Sequence, residues 1–215
     1  MTNTNAAHVA TFFDRVATFY DNVVINARYI VPTWLRQRLV DHPREVAWHV
    51  LDLACANGSN LRILKGYFTC VYAIGVDVSP EMIRAAQEAN LYEQLYLHDL
   101  DQPMGFLSSA QFDLVLALGF SEFLVQPQVC LSEIQRLLKQ HGQLFISFQE
   151  HIPADPQAPR SARNGAVEYN AYTQAEVRRL LQQHNLMIMT QLSVTGYISE
   201  FDDACPYLLV QCQKV

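Results

Sequence analysis

One stretch constrains the fold more than any other: Val50-Leu51-Asp52-Leu53-Ala54-Cys55-Ala56-Asn57-Gly58-Ser59-Asn60-Leu61. Trp48, Val50, Leu51 and Leu53 make a short apolar run of the kind that forms a strand buried on both faces. Small residues from Ala54 to Ser59 then predict a tight turn, and Leu61, Leu64 and Phe68 fall on one stripe of a following helix. A strand, a small-residue turn and a helix N-terminus together let a nucleotide-like ligand approach the backbone and meet unpaired N–H groups. Asp52, near the end of the strand, is placed beneath that turn.

A second apolar run, Tyr72-Ala73-Ile74-Gly75-Val76-Asp77, also ends in an acid. Asp77 follows the turn at about 20 residues, the separation at which a carboxylate meets a ribose diol. The acid argues for free hydroxyls and against a 2′-phosphate. Ser79 and Pro80 read as the N-cap and first turn of the next helix.

Five blocks in order, VLDLACANG, GVDVSPEMI, LHDLD, FDLVLALGFSEFL and EIQRLLKQHGQLFISF, resemble the class I S-adenosylmethionine-dependent methyltransferases, over roughly residues 12 to 215. The resemblance implies an α/β, Rossmann-like, seven-stranded, mostly parallel sheet of order 3-2-1-4-5-7-6, with the last strand antiparallel and helices on both faces. It also implies an N-terminal helical cap over residues 1–45 and a core over 46–215. S-adenosylmethionine is the cofactor so implied, with contacts from Tyr20, Asp52, Ala54, Ala56, Asn57, Gly58, Asp77, Val78, Met82, Asp99, Leu100 and Leu118. Asp99 takes the adenine amino group, with Asp101 as its nearby rival; Asp77 takes the ribose, and Met82 lies on the adenine. The block Ala17, Tyr20, Asp21, Tyr29, Pro32 is similar to a subgroup that includes a methyltransferase-like protein of the Williams–Beuren region.

The family writes the turn with three glycines, whereas here Ala54 and Ala56 occupy the first two positions and only Gly58 is kept. Each alanine methyl narrows the backbone's choices and removes room for the ligand. Asn57 is the residue expected to tolerate a left-handed conformation. Ala54 is expected deeper against the sheet than Ala56, and Ala56→Gly is expected to lower stability slightly while sparing binding.

The chain of 215 residues is long enough for one full core. It carries 21 acidic against 15 basic side chains, net −6, so no electrostatic footprint for nucleic acid is visible. The block after the fourth strand, Leu118-Gly119-Phe120, lacks the Asn/Asp-Pro-Pro-aromatic motif of amino-methylating nucleic-acid enzymes. Cys55, Cys70, Cys130, Cys205 and Cys212 show no paired metal spacing and read as buried reduced thiols in a cytoplasmic protein. No metal is expected, no signal peptide is seen, and no apolar run reaches the ~20 residues a membrane span needs. The partner expected is a small-molecule methyl acceptor, with the chain a monomer or homodimer.

Residues 1 to about 9 read as disordered, followed by an amphipathic helical run through Val9, Phe12, Phe13, Val16 and Phe19 that acts as a lid, and a second over Ile30–Val40. A helix near 127–139 is expected to end at Gly142, with a strand over Gln143–Phe148. Residues 150–172 read as a long connection, and Thr173 with Glu176 as a capping box. Transfer from a sulfonium needs alignment, water exclusion and management of the acceptor's proton. His151 and Glu122 are the candidate catalytic groups, alongside Ser121, Glu150, Tyr169, Tyr172, Arg160 and Arg163 as acceptor-side residues.

Overall fold

The computed structural model describes residues 4–40, 44–45, 47–152, 161–199 and 203–215. Three helices lead the chain: α1 (Thr4–Val16), then a 3-10 turn into α2 (Tyr20–Asn26), then α3 (Val31–Leu39). Strand and helix then alternate as β1 (Ala47–Leu53), α4 (Ser59–Tyr67), β2 (Cys70–Asp77), α5 (Pro80–Ala89), β3 (Gln94–Leu97), β4 (Phe112–Ala117), α6 (Pro127–Leu137) and β5 (Leu138–Gln149). The chain closes with β6 (Ser161–Asn164), β7 (Val167–Asn170), α7 (Gln174–Gln183), β8 (Leu186–Ile198) and β9 (Ala204–Lys214).

Seven strands form one sheet in the order β3-β2-β1-β4-β5-β9-β8. β1 to β5 pair in parallel, and β9 runs antiparallel to both β5 and β8. This is the expected Rossmann-like order; the final strands carry higher numbers because β6 and β7 form a separate hairpin. That hairpin lies in the stretch expected to be an irregular connection. Its turn is Gly165, held at φ 61°, a conformation open to glycine.

The central strands are buried because helices cover both faces. On one face Leu51, Leu53, Val115 and Ile146 meet Leu131 and Ile134 of α6 and Val177 and Leu181 of α7. On the other, Val50, Leu114, Leu116 and Phe145 meet Trp34 and Leu35 of α3 and Leu61 and Leu64 of α4. Each such aliphatic side chain contributes roughly 1.5–3 kcal/mol on leaving water. α3 therefore covers the sheet, and the capping role expected of residues 1–45 falls to α1 and the start of α2.

Two local readings are corrected, and a third is borne out. Residues 4–9 are helical, not disordered: buried Asn5 donates to the carbonyls of Phe123 at 2.8 Å and Glu168 at 2.9 Å, which pins the first turn of α1. α6 ends at Leu137, and Gly142 lies inside β5, whose first part is irregular, with His141 at φ 63°. The capping box on α7 is present, with Thr173 and Glu176 bonded reciprocally. Cys55, Cys130 and Cys212 are buried free thiols and Cys205 is half-buried. Among the described residues no cluster fit for a metal is found, and no helix is long and apolar enough to cross a membrane.

Candidate active site

The sheet order reverses between β1 and β4, and an open α/β sheet binds its ligands at the strand ends beside such a switch point. A cavity lies there. Its wall takes Ala54 and Ala56 after β1, Asp77 and Val78 after β2, Asp99 to Asp101 after β3, and Leu118 to Phe120 after β4. Phe123 and Leu124 extend it, and Ala6, Val9, Phe13 and Tyr20 close it from the N-terminal side.

The turn has an unusual backbone. Ala54 stands at φ 52°, Ala56 at 47° and Gly58 at 83°. All three positions where the family writes glycine are thus left-handed, although two of them carry a Cβ. Asn57, expected to supply that freedom, is not among the positive-φ residues. The turn's amides are engaged within the chain: Cys55 donates to the Val76 carbonyl at 3.1 Å, Ala56 to the Asp77 carboxylate and Gly58 to the Cys55 carbonyl at 2.9 Å. Ala54 is half-buried and Ala56 buried; both face the cavity, so Ala54 is not the deeper residue that was expected.

Asp77 fixes this turn. Its Oδ2 accepts the Ala56 amide at 2.9 Å and its Oδ1 the Ser79 amide at 2.9 Å. With about four lone pairs on its two oxygens, the carboxylate keeps acceptor capacity for a ligand hydroxyl. Burial pushes the Asp77 carboxyl up to about 6, against the lowering effect of the amides from Ser79, Ala56 and Val78. Ser79 caps α5 by accepting the Met82 amide at 3.1 Å, which seats the buried Met82 side chain on the cavity wall.

Asp52 lies out of the cavity, fully buried beneath the turn. Tyr92 donates to its Oδ2 at 2.7 Å, while Oδ1 is buried with no hydrogen-bond partner. Burial pushes this carboxyl up to about 7, and the nearby Asp77 adds to the rise. Gly58 and Asn57 are also absent from the wall. Gly58 carries the chain past Tyr92 and Leu91, and a Cβ there would meet Tyr92 at 3.1 Å. Asn57 donates through Nδ2 to Asp21 at 2.7 Å, tying α2 to the turn.

Asp99 and Asp101 both line the cavity and differ in their hydrogen bonds. Asp101 is buried and accepts the amides of Val125 at 3.0 Å and Gln126 at 2.6 Å, just ahead of α6. Asp99 accepts only a local amide, from Asp101 at 3.0 Å, and faces the cavity beside Leu100. Tyr20 also faces it; burial and the charges of Asp77 and Asp52 push its hydroxyl well above the usual phenol range, so it is a neutral donor.

The candidate catalytic groups are not on the wall. Glu122 is buried behind it, where Tyr207 donates to Oε1 and Oε2 has no partner. Burial raises its carboxyl. Half-buried His151 follows β5, its backbone N–H bonded to the Tyr172 carbonyl at 2.9 Å. Glu150 is consumed by Gln174 at 2.7 Å and by Ser193, and Ser121 donates to the Ser147 carbonyl at 2.6 Å. Tyr172 donates to the Ser121 carbonyl at 3.3 Å, and Tyr169 is half-buried off the wall. Arg160 and the side chain of Arg163 lie outside the described residues.

The sequence reading did not assign Ala6, Val9, Phe13, Phe123 and Leu124 to the site. The signal for Val9 and Phe13 was present as an amphipathic stripe, read as a lid without wall contacts. Together with Ala17, Ala56 and Met82, the rings of Phe13 and Tyr20 form one apolar cluster beside the cavity. Asp14 locks it, accepting from Ser79 Oγ at 2.6 Å and from the Glu81 amide at 3.1 Å. The space left is about 70 Å³, well below the roughly 300–1,000 Å³ of a ligand pocket.

Comparison with known proteins bears on this half of the chain. Residues 51–146 match the methyltransferase domain family. The stretch runs from the end of β1 through most of β5 and therefore includes all four strand ends that build the cavity. A malonyl-[acyl-carrier protein] O-methyltransferase of Herminiimonas arsenicoxydans is 33% identical over 63% of this chain and 48% of its own length. A demethylmenaquinone methyltransferase of Thermotoga maritima is 30% identical over 65% of this chain and 60% of its own. The matched region thus spans about half the length of these curated relatives. Among solved structures, the 1,6-didemethyltoxoflavin-N1-methyltransferase of Burkholderia thailandensis, bound to its substrate and S-adenosylhomocysteine, superposes with a TM-score of 0.70. It is 19% identical and covers 100% of this chain and 92% of its own. The fold is that of the class I S-adenosylmethionine-dependent methyltransferases.

Proposed function

We propose that this chain transfers the methyl of S-adenosylmethionine to a small-molecule acceptor. The observation that carries the reading is the joint placement of Asp77, Asp99 and the left-handed turn 54–58 around one cavity at the switch point. Asp77 accepts the ribose hydroxyls, Asp99 the adenine amino group, and Met82 and Leu100 enclose the base. Asp52, with its unpartnered Oδ1, supplies negative charge beneath the turn for the cofactor's ammonium. The remaining acceptor capacity of Asp77, on the cavity wall, fits a ligand of this chemistry. Val78 and Leu118 complete the wall. Of the cap expected over residues 1–45, α1 and the start of α2 serve in this reading, while α3 packs with the core of 46–215; the Tyr20-Asp21 pair is the feature shared with the Williams–Beuren-like subgroup.

The cofactor supplies an already activated methyl. The chain's own residues align the acceptor and exclude water. Phe13, Phe120, Phe123 and Leu124 form the acceptor side, and the wall carries no histidine or lysine among the described residues. Such a wall suits an apolar ring bearing an oxygen or nitrogen that gives up its proton unaided. The names demethylmenaquinone methyltransferase and 1,6-didemethyltoxoflavin-N1-methyltransferase favour a ring acceptor, while malonyl-[acyl-carrier protein] O-methyltransferase names an acyclic carboxylate. Glu122 is a structural acid in this reading, and His151 stands outside the reaction. A cytoplasmic monomer or homodimer completes the proposal.

Ala54 and Ala56, strained in the cofactor turn, favour a second reading, a cofactor-binding domain without transfer. Incubation with S-adenosylmethionine labelled in its methyl, against a panel of quinols, phenols and ring-nitrogen heterocycles, separates the two. Label in any acceptor supports transfer. Cofactor binding with no label moved to any of these classes supports the second.

A further inference from the structure

The chain is acidic overall, yet one groove gathers arginine. It is open, about 690 Å³ in volume, and runs between α2, the turn after it, α3 and α4. Arg28, Arg36 and Arg62 stand on its walls, and Ile25, Ile63 and Tyr67 give it an apolar lining. Elsewhere Lys65, Arg84, Arg136 and Lys139 each face a carboxylate, of Glu93, Glu81, Glu133 and Asp113. The three groove arginines have no ion-pair partner among the described residues. The acid on this wall, Asp21, is engaged by Asn57. Arg28 is moreover held at φ 50°, in a turn fixed by its own amide on the Ile25 carbonyl at 3.0 Å and by the Tyr29 amide on Val24 at 3.1 Å.

We infer that this groove binds a small organic anion, a phosphate- or carboxylate-bearing molecule with an apolar body, at a site separate from the cofactor cavity. Guanidinium groups present paired N–H donors that match such oxyanions. The volume falls in the range of small-molecule sites, roughly 300–1,000 Å³. The aliphatic and aromatic lining favours an occupant with a hydrocarbon part over a bare ion. α2 separates the two sites: Tyr20 faces the cavity, while Asp21, Val24 and Ile25 face the groove.

Hexyl phosphate and hexanoate, titrated into the full chain by calorimetry, test this, with inorganic phosphate as the control. At least one amphiphile should bind once per chain, more tightly than inorganic phosphate, and the stronger of the two identifies the headgroup. The double variant Arg36→Gln/Arg62→Gln should lose roughly tenfold to a hundredfold in affinity at unchanged melting temperature. If the double variant misfolds, hydrogen exchange on the native chain decides, with protection by the amphiphile expected in 24–36 and 59–67. Absence of binding by both amphiphiles at several millimolar, equal affinity in a folded double variant, displacement by S-adenosylhomocysteine, or protection confined to the cavity would each overturn the inference.

Discussion

The Asp77 carboxylate accepts the backbone amide of Ala56 at 2.9 Å, joining the end of β2 to the turn that follows β1. A second bond, from the Ser79 amide, attaches the same carboxylate to the start of α5. One side chain therefore sets the positions of two wall segments.

Asp77→Asn should weaken cofactor binding more than it weakens the fold. An asparagine offers one acceptor oxygen in place of two, and a buried amide left unpaired costs about 1–3 kcal/mol. Cofactor affinity should drop on the order of tenfold to a thousandfold, because the ribose loses a charged acceptor as well. Calorimetry beside a thermal melt reads both. Unchanged affinity would remove Asp77 from the ribose.

The left-handed backbone at Ala54 and Ala56 reverses the stability change expected from the sequence. An L-residue in this region is disfavoured by about 1–2 kcal/mol, against roughly 0.5–1 kcal/mol for the extra freedom of an unfolded glycine. Ala56→Gly and Ala54→Gly should each hold or raise the melting temperature and hold or improve affinity. Ala56→Val places a branched side chain at φ 47° and in the ligand's path; both stability and binding should fall. A lower melting temperature for both glycine variants would contradict the assigned backbone.

The sheet and its order were legible because buried parallel strands announce themselves as short apolar runs, and acids recur at three successive strand ends. Tyr20, Ala54, Ala56, Asp77, Val78, Met82, Asp99, Leu100 and Leu118 all reach the wall. Asp52, Asn57 and Gly58 do not, because a neighbouring position in a turn says nothing of which side a side chain takes. The first turn of α1 was missed because Thr, Asn and Ala carry no helical stripe; its anchor is tertiary, through Asn5. The β6–β7 hairpin was missed because Ser161–Asn164 offers no alternation of apolar residues.

In the proposed reading α1 acts as a lid over the cavity, and Asp14 joins it to α5 through the Ser79 hydroxyl and the Glu81 amide. Asp14→Ala removes two hydrogen bonds at α5 and should speed hydrogen exchange through residues 4–16 while leaving β1 and β4 unchanged. Association of the cofactor should become faster, since a closed lid subtracts from the binding-competent population. Exchange in 4–26 that is indifferent both to this substitution and to saturating cofactor would rule out a lid.

The raised carboxyls give a pH signature. Asp52 and Asp77 hold protons in the folded chain up to about 7 and about 6, against 3.8 when unperturbed. The folded state binds the extra protons, so their stabilising contribution is complete below about pH 4 and is lost as pH rises through 6 to 7. Asp52→Asn should flatten that decline, so the melting curves of variant and wild type diverge between pH 4 and 7. Curves that stay parallel would show that Asp52 ionises normally. Cofactor binding favours the charged forms, so affinity should rise from pH 5 to 8.

Titration of the folded chain with S-adenosylhomocysteine by calorimetry at pH 8, with NAD as the comparison, tests the central claim most directly. One equivalent of the sulfur nucleotide should bind and NAD should not, with the heat lost in the Asp77→Asn and Asp99→Asn variants. No heat with S-adenosylhomocysteine at millimolar concentration, or equal binding of NAD, would contradict the assignment of this cavity to the methyl-donor cofactor.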